Sequence, residues 1–597
     1  MRFGQFAQCF AILGLVSSGL AAIARPVLAI DLPSSESTPS ESNNLDKLDR
    51  LLVSQNAPSS EFSESENELL PLPEQPSVLP EAELEPPSEL PSELPSELPS
   101  EPPETQPIPS SNLEQVTVAE IQVVGSSVFE DQDFDPIVAP YEGSSLGLRE
   151  LRQVADDITR LYLRLGYITS RAVLGEQTIT DGVVQIRVIE GELEDIQIEG
   201  TRRLESYVRD RINLANRTPL NQVDLESQLQ LLRADPLIDQ IEASLRAGTG
   251  EGKSDLIVRV RETPLLSGRA SIDTHSPESV GIARMGIETN FNNLLGLGDR
   301  LALSAYRSTA GGATNYGITY DVPLNAMDGT LGARYLPSSF NLISEELADL
   351  DVQGSSSTYE LIYRQPVIRQ PNEELAFSLG FRHRTGETLI SDIVIDATST
   401  SVFQFGQDYL KRDRSGAWRL QSHFNIGTGL LNATDRPDGQ ADGQFFSWLG
   451  QIQRAQVINR DNFLIMQGSV QLSADSLLGA DQFIIGGANS VRGYSQNARF
   501  GDNGFRASIE HRITALRNED GSNAVQIAPF LDAGGVWNVG ANTSEQRFLL
   551  GTGVGLVTNL VENVQARLDV GIPLIEINEP GDSNQDAFLY FSMDYQF

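Results

Sequence analysis

Two hydrophobic periods divide the chain. From Val116 to Glu262 apolar residues recur both at alternate positions and at helical spacing, whereas beyond Pro264 only alternation remains. In the first region Leu151, Val154, Ala155, Ile158, Leu161, Tyr162 and Leu165 make one apolar stripe, and Gly166 stands where such a helix should end. Short alternating runs flank it. "IQVVG" at Ile121–Gly125 returns as "IQIEG" at Ile196–Gly200, 75 residues on, and "IRVIE" at Ile186–Glu190 returns as "VRVRE" at Val258–Glu262, 72 residues on. In the second unit Val208 and Ile212 predict one helix, and Leu225, Leu229 and Leu232 another. The pattern is β-α-α-β-β, twice: a small α+β module with helices on one face of a sheet.

Residues 264–597 read as alternating segments split by Gly, Asn and Asp turns. The last is the clearest. In "AFLYFSMDYQF", Leu589, Phe591, Met593, Tyr595 and Phe597 share one face, and Ser592, Asp594 and Gln596 the other, with Tyr590 among them. An apolar, aromatic outside with a polar inside suits a barrel strand between lipid and a wet lumen. Sixteen strands would take about 21 residues each from these 334, so length admits about 12 to 18 strands and does not choose among them.

Composition alters the picture mainly at the N-terminal end. An apolar run from Cys9 to Ala24, with Val27 and Ala29 behind it, reads as a secretory signal over 1–29, an N-terminal anchor helix being the competing reading. Residues 30–115 are rich in Pro, Ser and Glu, including "PSELPSELPSELPSEPPE", and predict an extended spacer that forms no core. Residues 31–115 hold 19 acids and 2 bases, so −17 of the net charge of −39 lies there. That charge argues against nucleic acid as a partner. Cys9 is the only cysteine, and His275, His383, His423 and His511 have no ligand spacing, so neither thiol chemistry nor a metal is expected. No complete G-x-x-x-x-G-K-[ST] phosphate loop appears, and no cofactor or nucleotide is expected. "GSSLG" at Gly143–Gly147 matches a nucleophile pattern, but no buried strand precedes it to build the elbow. No enzyme is expected.

Five further motifs occur in order: "NLLGLGDRL" (Asn293–Leu301), "YDVPL" (Tyr320–Leu324), "YRQPVIR" (Tyr363–Arg369), "SVRGY" (Ser490–Tyr494) and "FLDAGG" (Phe530–Gly535). With the two modules and the terminal Phe597, they make residues 116–597 resemble the two-partner secretion transporters of the outer-membrane assembly superfamily, whose modules are called POTRA domains. The resemblance implies POTRA 1 at 116–190, POTRA 2 at 191–263 and an all-β transmembrane barrel at 264–597, expected at 16 strands. It implies that the loop Val491, Arg492, Gly493 and Tyr494 folds into the barrel, where Arg492 meets Asp532 of a strand that also carries Phe530 and Gly534. Tyr595 and Phe597 would form the terminal signal read by the barrel assembly machinery. The implied function is an outer-membrane pore that takes an unfolded exoprotein from its periplasmic modules to the cell surface. A barrel-protein insertase is the alternative; a passive porin would leave the modules unexplained. The family often plugs its barrel with an N-terminal helix, for which "NLDKLDRLLVSQ" (Asn44–Gln55) is the candidate here. The acidic linker is similar in composition to that of cyanobacterial members with thick cell walls.

Overall fold

The structure, a computed structural model, describes residues 115–344, 350–437, 440–540, 547–561, 563–577 and 587–597. The expected signal, the acidic spacer and the candidate plug helix lie outside them.

The first module holds β1 (Val116–Thr117), β2 (Glu120–Val124), α1 (Asp131–Val138), β3 (Ser145–Leu146), α2 (Leu148–Arg164), β4 (Arg171–Val173) and β5 (Val183–Ile189). Its main sheet has the order β2-β5-β4, with β2 parallel and β4 antiparallel to β5. Alternation along β5 buries Val184, Ile186 and Val188 against Val154, Ile158 and Tyr162 of α2. The β-α-α-β-β pattern called for a helix here without locating it; α1 is eight residues long, contains Pro136 and buries only Phe134 and Val138. The second module repeats the plan with β6 (Glu192–Glu199), α3 (Glu205–Ile212), α4 (Gln222–Arg233), β7 (Ile238–Ala247) and β8 (Lys253–Glu262), in the sheet order β6-β8-β7.

The echoed motifs have a physical cause. Gly125 and Gly200 have φ of +90° and +89°, and a Cβ there would lie 2.6 Å from the carbonyl of Val188 and 2.4 Å from that of Val260. Only glycine fits a left-handed position pressed on a neighbouring strand. The glutamates that close each echo clasp the next residues. Ser127 donates its N–H and hydroxyl to Glu190 at 2.7 and 2.5 Å, and Thr201 donates to Glu262.

From Leu266 the chain forms a closed barrel of 16 antiparallel strands. Its first strand, Leu266–Asp273, pairs with its last, Phe588–Gln596, from Asp273↔Ser592 to Arg269↔Gln596. Met285, Ile287, Leu589, Met593, Tyr595 and Phe597 face outward and are exposed, as lipid-facing residues are. Arg284 and Glu288 face inward, bonded to Asp273 and Arg269. Strand lengths depart from the even division assumed above. Val352–Gln370, Glu373–Ile390 and Ile393–Asp413 run to 19, 18 and 21 residues. A bilayer needs only about 9–11 per strand, so these hairpins carry their pairing past it. Among the described residues no helix is long and apolar enough to cross a membrane.

Candidate functional site

The stretch "FIIGGANSVRGYSQ" belongs to the connection between strands Asn462–Ser473 and Asn503–Arg517. Phe483–Ile485 pairs with Arg499–Gly501 in a short hairpin, whose tip is sunk in the barrel interior rather than held in solvent. Val491, Arg492 and Tyr494 are all buried. The Arg492 guanidinium meets Asp532 side-on: Nε donates to Oδ2 at 2.7 Å and Nη2 to Oδ1 at 3.0 Å, while the Arg492 backbone N–H reaches Oδ2 at 3.1 Å. A planar fork held on both oxygens fixes position and angle together. Asp532 also accepts from Ser508 Oγ at 2.7 Å. The guanidinium lies 3.5 Å over the Phe530 ring, so one strand supplies both its carboxylate and its aromatic floor.

Further wall residues complete the seat, and no sequence motif had singled them out. Arg492 Nη1 donates to Glu510 at 2.7 Å, and Glu510 also accepts from Arg512 at 2.8 Å and Arg567 at 2.6 Å. Arg567 grips Asp569 at 2.6 and 2.9 Å. Arg492, Arg512 and Arg567 thus face Glu510, Asp532 and Asp569 in a network of matched charge, which is how buried ions are tolerated. The hydroxyl of Tyr590 accepts the N–H groups of Gly493 and Tyr494 at 2.9 and 3.1 Å and donates to the Tyr494 carbonyl at 2.6 Å. The Tyr494 hydroxyl lies 2.8 Å from the Ile575 carbonyl and 2.9 Å from that of Leu550, and accepts the Leu550 N–H at 3.1 Å.

Backbone shape makes this possible. Gly493 has φ +101°, and a Cβ there would sit 2.8 Å from the Ile572 carbonyl carbon. The wall is cut away beneath the loop: a Cβ on Gly551 would fall 1.8 Å from the Arg492 carbonyl oxygen, and one on Gly571 2.5 Å from the Gly493 nitrogen. Gly534 similarly admits Val491, whose Cγ2 would lie 2.9 Å from an added Cβ.

The three earlier motifs meet elsewhere, where the second module sits on the barrel. In "NLLGLGDRL", Asp299 accepts the N–H groups of Leu295 and Leu297 at 2.9 and 3.3 Å, holding the turn. Tyr320 of "YDVPL" donates to the same carboxylate at 3.2 Å. The turn receives the Tyr207 ring of α3 over Gly298, where a Cβ would approach within 2.3 Å. Arg203 donates to the Asn293 and Leu294 carbonyls. Arg211 stacks 3.3 Å over Tyr207 and pairs with Asp328 at 2.8 Å, while Arg369 of "YRQPVIR" reaches Asp328 at 3.0 Å. Tyr207 donates to Asp235 at 2.6 Å, and burial, then that carboxylate's charge, push its phenol above the usual range.

Ser145 of "GSSLG" lies exposed on β3, and Gly147 caps α2. Among the described residues no group of three or more His, Cys, Asp or Glu could hold a metal.

Comparison with known proteins agrees with this architecture. The family profile of the haemolysin secretion/activation proteins ShlB/FhaC/HecB matches residues 252–558, and that of the ShlB-type POTRA domain matches residues 116–191. The outer membrane transporter CdiB of Escherichia coli is 27% identical over 482 residues, covering 77% of this chain and 79% of its own. The heme/hemopexin transporter protein HuxB of Haemophilus influenzae is 22% identical over 397 residues, covering 63% and 68%. In fold, the solved structure of CdiB from Escherichia coli superposes with a TM-score of 0.65 at 22% identity, over 83% of this chain and 93% of that one. CdiB from Acinetobacter baumannii superposes at 0.59 and 20% identity, over 81% and 90%. Two POTRA-type modules seated on a closed 16-strand barrel, with a buried VRGY loop and a profile match over half its length, place this chain in the ShlB/FhaC/HecB family of outer-membrane secretion transporters.

Proposed function

We propose that this protein captures one unfolded exoprotein, or a small set of them, on its periplasmic modules and passes it through the barrel to the cell surface in extended form. The observation that carries the reading is the direct seating of the second module on the barrel turns, which leaves no room for further modules between capture and pore. Capture has a physical candidate in β7, a ten-residue strand that pairs on one side only, with β8, and presents the backbone groups of alternate residues along its open edge to an incoming strand. Passage needs no covalent chemistry from this chain, and we assign it no catalysis. Vectorial folding of the cargo outside supplies the drive. The membrane-facing aromatic end at Tyr595 and Phe597 would serve the barrel assembly machinery during biogenesis. The lumen loop would act as a seated gate, with Arg492 and Asp532 as its latch.

The test is a clean deletion, with culture supernatant and outer-membrane proteins compared against the parent strain. Loss of one or a few large exported proteins with an unchanged outer-membrane profile is the expected result. A broad fall in many barrel proteins would instead make the chain an insertase and overturn the reading.

A further inference from the structure

Beside the seated loop, the barrel wall carries an open recess, bounded on one side by Asn489 and Ser490 of the loop. The strand register lays the lining out in two rows across the wall. One runs Arg419, Gln453, Gln467 and Ser508, and the other Gln421, Gln451, Ser469 and Arg506. Four glutamines make up half of these two rows, beside two arginines and two serines. Gln421 is held by Asp408 at 3.0 Å. The side chains of Gln451, Gln453 and Gln467 have no hydrogen-bond partner among the described residues and are half-buried, open to whatever occupies the recess. Arg506 is tied to the loop, donating to the Asn489 carbonyl at 3.1 Å and to Ser469 Oγ at 3.3 Å, so the recess and the loop share one wall.

We propose that this glutamine-lined recess is a binding track for the backbone of an extended polypeptide, the surface along which cargo moves past the loop. The inference rests on the secretion reading for its ligand. A glutamine side chain ends in the same group as a peptide bond, with N–H donors and a carbonyl acceptor. It can bond any residue's backbone and discriminates among none, as a pore for a long and varied chain requires. Being uncharged, it does not hold back acidic or basic segments as an ion would. The spacing also fits. Gln451 and Gln453 stand two residues apart on one strand, about 6.8 Å along it, and an extended chain repeats its like-facing backbone groups at that interval. A chain lying along the strand therefore recovers the same bonds each time it advances by two residues, so it is held without being trapped.

The probe is a synthetic unstructured peptide of glycine, serine and asparagine, offered to the purified full chain in lipid vesicles. With Cys9, the only native cysteine, replaced by serine, single-cysteine variants Gln451→Cys, Gln453→Cys and, as the outward-facing control, Ile452→Cys can each carry a photo-crosslinker. The expected result is crosslinking from positions 451 and 453 and none from 452. It should be equal for versions of the peptide with lysine or aspartate interspersed. Crosslinking absent from 451 and 453, or confined to one peptide charge, overturns the proposal. In cells, Gln451→Ala, Gln453→Ala and Gln467→Ala combined should lower export about tenfold at an unchanged level of folded barrel. Undiminished export overturns it. The deletion experiment judges the secretion reading separately: peptide crosslinks without any exported protein lost would leave the track standing and remove its assigned cargo.

Discussion

Arg492 shows what a single residue contributes when its surroundings are built for it. Its guanidinium reaches Asp532, Glu510 and the face of Phe530 at once, while its side chain is 6% exposed and that of Asp532 wholly covered. Breaking one partner of a buried pair strands the other, at a cost of about 3–5 kcal/mol. Asp532→Ala should therefore unseat the loop, read as faster hydrogen exchange over residues 489–497. Because the six charges balance, removing Arg492 and Asp532 together should cost less than the sum of the two single losses. An additive double mutant would show that they do not act as a pair. Tyr590→Phe is a finer probe. It keeps the ring but orphans the N–H groups of Gly493 and Tyr494, and should loosen the same segment by about 1–3 kcal/mol.

At the scale of elements, the two modules are one design repeated, and their echoed glycines are its weakest points. Gly200→Ala puts a Cβ against the Val260 carbonyl at positive φ, and should destabilise the second module by about 1–3 kcal/mol. Gly175→Ala, where an added Cβ meets nothing within 4 Å, is the matched control and should leave proteolytic resistance unchanged. Each module also buries a tyrosine bonded to a carboxylate, Tyr162 to Glu190 and Tyr207 to Asp235. Burial, with the nearby negative charge, raises both phenols above their ordinary range. Above about pH 10 an unfolded tyrosine loses its proton while these keep theirs, so the folded modules bind more protons and stability falls as pH rises. Tyr207→Phe should flatten that fall in the second module alone, measured as hydrogen exchange across β6 and β8 in the purified full chain.

For the whole molecule, the question is how two modules and a barrel act as one machine. Asp328, on a barrel turn, sits between Arg211 of the second module and Arg369 of the wall. Asp328→Ala leaves two buried or half-buried cations facing one another, and the module should move more freely on its seat. A broadened spin-label distance distribution between α4 and the turn at residues 371–372 would record this; an unchanged distribution would mean that the Tyr207–Gly298 contact alone holds the junction. The junction is built from motifs of the early barrel strands and the lumen loop from motifs late in the chain, so the two draw on stretches far apart in sequence.

The sequence by itself determined a good deal. Helical and alternating periods separated modules from barrel, because a helix buries a stripe and a strand buries one face, and those needs are local. The Leu151–Leu165 stripe and the outward faces of residues 589–597 were legible for that reason. The pairing of Arg492 with Asp532 entered through family resemblance, since nothing local links residues 40 positions apart. Strand number, the closing of Leu266–Asp273 on Phe588–Gln596, and the roles of Glu510, Arg567 and Tyr590 were decided only by the tertiary structure. Alternation shows that such residues face inward; which of them meet depends on register and closure, and these are set by the sum of contacts around the whole barrel.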